Sequence, residues 1–140
     1  MKILIAVDGS LHTQRMLTYL AAHPELVGSQ KEFTAITVVP PIAAHLREVV
    51  AADVLDKQQQ RLVKEVLDPV SAFASRNGWN LSTVSKVGPV ADTLIEIAES
   101  GDFDLLVMGS HGNSALASLM LGSVVSGVLS RSKVPLLIVR

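Results

Sequence analysis

Short, uninterrupted apolar runs alternate along the chain with longer stretches in which apolar residues return every three or four positions. Ile3-Leu4-Ile5-Ala6-Val7 is the first run, the pattern of a strand covered on both faces in a parallel sheet. It stops at Asp8-Gly9-Ser10. Ser10 is suited to cap a helix running toward His23, with Met16, Leu17, Leu20 and Ala21 on one face and Pro24 closing it. Residues 33–39 repeat the strand pattern and end at Pro40-Pro41, after which the mixed stretch 42–53 fits either a loop or a helix. Over 54–74, Leu55, Leu62, Val63, Val66, Leu67, Val70 and Phe73 recur at helical spacing opposite Lys57, Gln58, Gln60, Arg61 and Lys64. Pro69 falls inside this pattern, and its missing N–H and ring clash predict a kink near Leu67-Asp68.

Residues 81–87 alternate as a strand, and Gly88-Pro89 opens a helix whose apolar stripe is Val90, Ala91, Leu94, Ile95 and Ala98, with Gly101 at its end. Residues 104–108 form the fourth buried strand, followed by the small, polar stretch 109–113 and a long loop. A last helix is predicted from about Gly122-Ser123 to 131–133, where Arg131 and Lys133 suit the negative end of its dipole. Residues 135–139 make strand five. Strands alternating with helices throughout predict an α/β fold, a doubly wound parallel sheet with right-handed crossovers and helices on both faces. Residues 1–140 form one domain on this reading, since no Gly/Ser-rich linker or repeat divides them.

Charge and composition narrow the function. The 12 basic and 13 acidic residues leave a net charge of −1, with no block of either sign to track a phosphate backbone or anionic lipid. Neither nucleic acid nor membrane is expected as a partner. Cysteine is absent, which removes disulfides, thiolate metal sites and cysteine nucleophiles. Asp8 interrupts the first apolar run before a leader core or a membrane span is reached, so a cytoplasmic location is expected.

In doubly wound folds, ligands bind outside the carboxyl ends of the strands, which directs attention to the loops that begin at Asp8, Pro40 and Gly109. The third reads GSHGNSALASLMLGS from Gly109 to Ser123: Gly, two residues, Gly, nine residues, then Gly-Ser. Gly109 and Gly112 allow backbone N–H groups to turn toward an anion without an obstructing Cβ. Gly122 and Ser123 put N–H groups and a hydroxyl at a helix start, where the dipole favours a phosphate. A GxGxxG after the first strand and the Gly-Lys-Ser/Thr of a P-loop are both missing. His12, His23 and His45 show no ligand spacing, and no metal site is expected from them. His111 reads either as a general base or as a loop residue that bonds through its main chain.

With ILIAVDGS, VGPVADTLIEIA, DLLVMGSHG and LGSVVSGVLSRSKVPLLIV in place, the whole chain resembles the universal stress protein family, and the glycine spacing resembles its ATP-binding branch. The resemblance implies strand order 3-2-1-4-5, which brings Asp8 and Gly109 together across a cleft. It implies that Ala6, Val7, Asp8 and Val38 hold adenine and ribose, that Met108, Gly109, His111 and Gly112 line ribose and phosphates, and that Gly122, Ser123, Val124 and Val125 complete the phosphate side. ATP, or ADP or AMP, with Mg2+ held through the phosphates, is the implied cofactor. A homodimer paired through the C-terminal strand is the implied assembly, and an apolar strand ending the chain fits it. Two departures stand out: Asn113 and the uncharged run 114–121 replace the basic residues common there, and Val125 stands where a hydroxyl is common. The expected function is ATP-dependent stress signalling without efficient catalysis. A slow nucleotide hydrolase or nucleotidyl-transfer enzyme and a structural dimer without nucleotide are the alternatives.

Overall fold

In the computed structural model, residues 1–27, 29–111 and 121–140 are described. Five strands, β1 (Lys2–Ala6), β2 (Glu32–Val39), β3 (Leu81–Val87), β4 (Leu105–Gly109) and β5 (Leu136–Val139), form one sheet in the order β3-β2-β1-β4-β5. All four pairings are parallel. Both the order and the edge position of β5 match expectation.

The apolar runs are continuous because both faces of the sheet are covered. Ile3, Ile5 and Val7 point into one cluster with Met16, Leu17, Leu20, Phe33, Leu67 and Val70. Leu4 points into the other, with Ile36, Leu94, Ala98, Leu106, Met108, Val125 and Val128. The first cluster lies under α1 (Leu11–Ala22) and α3 (Ala52–Arg76), and the second under α4 (Val90–Ser100) and α5 (Ser123–Arg131). Each fully buried aliphatic side chain contributes about 1.5–3 kcal/mol.

The helix boundaries follow local chemistry. Ser10 caps α1, its hydroxyl accepting from Thr13 N at 3.5 Å. Pro89 precedes the first residue of α4, and Gly101 follows its last. The open stretch 42–53 resolves into a short helix, α2 (Ala44–Val49), with no buried residue, followed by the start of α3. Helix α3 is longer than its apolar pattern at both ends and runs through Pro69 to Arg76. Asn77 closes it, its side-chain amide donating to Phe73 O at 2.9 Å. The aromatic residues Phe33, Phe73 and Trp79 pack together near the amino ends of β2 and β3, with Phe33 and Trp79 stacked at 4.3 Å.

Ile5 is fully buried on the central strand. Ile5→Ala should therefore lower stability by about 2–5 kcal/mol in urea denaturation; a loss below about 1 kcal/mol would contradict this packing.

Candidate functional site

The carboxyl ends of β1 and β4 are neighbours, and the connections that leave them go to opposite faces: β1 leads into α1, β4 toward α5. The divergence opens a cleft of about 290 Å³, at the small end of the range for ligand pockets. Every candidate named from the sequence except Gly112 lines it: Ala6, Val7 and Asp8 from the end of β1, Val38 from β2, Met108, Gly109 and His111 from the end of β4, and Gly122, Ser123, Val124 and Val125 at the start of α5. Gly112 lies outside the described residues. Pro40, where the second of the three loops begins, lines it as well; sequence reasoning missed Thr13, Ile36, Val90 and Leu94, which complete the lining. Their apolar periodicity marked most of them as core, and nothing local distinguishes a core position from one that also faces a cleft.

Asp8 is held by its own turn. Its Oδ1 accepts from Ser10 N at 3.0 Å and from Thr13 Oγ1 at 3.0 Å, while its N–H donates to Thr13 Oγ1 at 3.2 Å. Gly9 permits that turn: its φ is +78°, a conformation that Cβ-bearing residues seldom adopt. Asp8 thus fixes the passage from β1 to α1 and faces the cleft at the same time.

Gly109, which lines the cleft, also has a packing role that its spacing does not suggest. A Cβ there would lie 2.9 Å from His12 Cβ and 3.3 Å from the His12 carbonyl carbon. The first turn of α1 therefore rests on the end of β4, and glycine is what lets it. Gly122 also departs from expectation, because its N–H is already engaged, donating to Ser110 O at 2.9 Å. The first bond inside α5 is Ser126 N to Gly122 O, 2.9 Å. The N–H groups of Ser123, Val124 and Val125 come ahead of it and have no acceptor within the helix. These three residues line the cleft at the positive end of the helix dipole.

The cleft has an apolar slot and a polar rim. Ile36, Val38, Val90, Leu94, Met108, Val124 and Val125 supply the slot; Asp8, Thr13, His111, Ser123 and the backbone of Gly109 and Gly122 supply the rim. The described lining includes no lysine or arginine. Among the described residues, no group of three or more His, Asp or Glu side chains is placed to hold a metal ion, and no helix is long and apolar enough to cross a membrane.

The family model described as the universal stress protein family matches residues 1–140, and the chain belongs to that family. It is 30% identical over 156 residues to universal stress protein YxiE of Bacillus subtilis, an alignment covering 99% of this chain and 98% of that protein. It is 27% identical over 139 residues to universal stress protein Slr1230 of Synechocystis sp., which covers 99% of this chain but 42% of that relative. Alignments with two Methanocaldococcus jannaschii universal stress proteins likewise take in under half of each, 48% and 45%. Among solved structures, a universal stress protein in complex with cAMP is similar at 28% identity and a TM-score of 0.73, covering 99% of this chain and 96% of that one.

The contact between Gly109 and His12 yields a prediction. Gly109→Ala forces a Cβ into the backbone of α1 and should cost about 1–3 kcal/mol by urea denaturation. Unchanged stability would show that α1 has room to move away from β4.

Proposed function

We propose that this chain binds an adenine nucleotide in the cleft between the ends of β1 and β4, as ATP with Mg2+, and acts as a stress-response signalling module without efficient turnover. One observation carries the reading: apolar side chains and the start of α5, whose first N–H groups have no acceptor within the helix, line the same cleft. That combination favours a ligand with an aromatic body and a phosphate tail. Adenine fits against Ile36, Val38, Leu94 and Met108, the ribose beside Asp8 and Gly109, and the first phosphate at Ser123–Val125. The similar protein with bound cAMP supports the ligand class. Mg2+, carried in on the phosphates, would supply the neutralising charge that the described lining lacks.

Slow chemistry follows from the same lining. No described basic side chain offsets charge developing on a transferred phosphoryl group, and the Oδ1 of Asp8 is committed to Ser10 and Thr13. The site is thus assigned to binding; a cytoplasmic location belongs to the same reading and rests on the family.

The partner we propose is a second copy paired through β5. Leu106 N donates to Pro135 O and Ser110 N to Val139 O, both at 2.9 Å. By the alternation of a strand, Leu137 also faces β4, and Leu136 and Ile138 turn their backbone groups outward. Those outward N–H and C=O groups have no strand beside them in the sheet, on a strand whose side chains are all apolar.

Two experiments test these statements. Ser123→Asp places a carboxylate at the first position of α5, where it suits the helix dipole but repels phosphate. It should leave the melting temperature unchanged or raised and weaken ATP binding by about tenfold or more in calorimetry with Mg2+. An unsubstituted chain that binds no adenine nucleotide at millimolar ligand would refute the reading. Light scattering should give a dimeric mass that Ile138→Pro converts to monomer; a monomeric mass for the unsubstituted chain would refute the pairing.

A further inference from the structure

Ser110 is 5% exposed and does not line the cleft, yet its carbonyl and its hydroxyl both reach residues that do. Its N–H donates to Val139 O at 2.9 Å, closing the β4–β5 ladder, and its carbonyl accepts from Gly122 N at 2.9 Å, holding the start of α5. Its hydroxyl lies 3.1 Å from His111 Nδ1. His111 is bounded on another side by the ring of His12, with centroids 5.3 Å apart and planes tilted by 46°. His12 in turn packs against Gly109, where a Cβ would lie 2.9 Å from its own.

We infer that Ser110 is a positioning residue for the phosphate-bearing part of the ligand, its hydroxyl fixing the His111 imidazole while its carbonyl fixes the helix start that faces the same space. This rests on the nucleotide reading above. An alanine would fill the buried position without a hydroxyl to satisfy, so the serine is explained by the imidazole it holds. A hydrogen bond to Nδ1 distinguishes the two ring nitrogens, and so favours one ring orientation and one tautomer over the other. The selection matters at the polar rim and leaves the apolar slot untouched, so a ligand with a phosphate feels it and one without does not.

The test is calorimetric titration of AMP and of adenosine into the unsubstituted chain, Ser110→Ala, His111→Ala and the double variant. Ser110→Ala should weaken AMP by about tenfold, the scale of one hydrogen bond, and change adenosine affinity by less than about twofold. Because Ser110 acts through His111, the double variant should bind AMP no more weakly than His111→Ala alone. The His111 Nδ1 signal in 15N spectra should shift in Ser110→Ala without any ligand present. Equal losses for AMP and adenosine, additive losses in the double variant, or an unshifted His111 signal would each overturn the inference alone. An unsubstituted chain that binds neither ligand would overturn the nucleotide reading and the inference together.

Discussion

The end of β4 passes beneath the first turn of α1 with room for a hydrogen and nothing larger, since a Cβ on Gly109 would sit 2.9 Å from that of His12. Much of the cleft is arranged around this approach. With α1 lying on Gly109, the turn that starts the helix must be tight, and Asp8, Gly9, Ser10 and Thr13 make it so through a closed set of hydrogen bonds. Beyond Gly109 the chain is fixed again by Ser110, whose backbone reaches the last residue of β5 and the residue before α5. Two strand ends and two helix starts are thereby locked into one frame. The frame leaves a gap because α1 covers one face of the sheet and α5 the other.

Such a gap presents shape and a local dipole more than net charge, since its described lining holds no lysine or arginine. Its apolar wall belongs to the same cluster that packs α4 and α5 on the sheet, so the surface facing the cleft is continuous with the core behind it. The polar rim relies on backbone donors of a helix start and on side chains held by their own neighbours. Preorganised donors of this kind lose little freedom when they bind, which offsets in part the thin supply of positive charge.

The fold was largely legible in the sequence because its strands are buried on both faces. The unbroken run Ile3 to Val7 admits few other readings once Asp8-Gly9-Ser10 ends it, and Pro89 and Gly101 bracket α4 as their chemistry dictates. Stretch 42–53 was not legible for a physical reason: α2 buries nothing, so no apolar period marks it. Most of the candidate site could also be read, down to the residues that the cleft gathers. What the glycine spacing did not reveal was why each glycine is there. Gly109 answers to a helix packed across it, and the N–H of Gly122 is spent on Ser110, facts that depend on residues distant in sequence. Ser110 itself gave no signal, since a serine beside a glycine reads as ordinary loop chemistry until its partners Val139, Gly122 and His111 are seen together.

The central claim is that the paired ends of β1 and β4, with the start of α5, form the nucleotide site. It is tested most directly by following backbone amide resonances through a titration with ATP and Mg2+. The account predicts saturable shifts concentrated at residues 6–10, 38–40, 108–112 and 122–125, with β3 and the first half of α3 unmoved. Shifts confined to α2, α3 and β3, or a spectrum unchanged at saturating nucleotide, would contradict it.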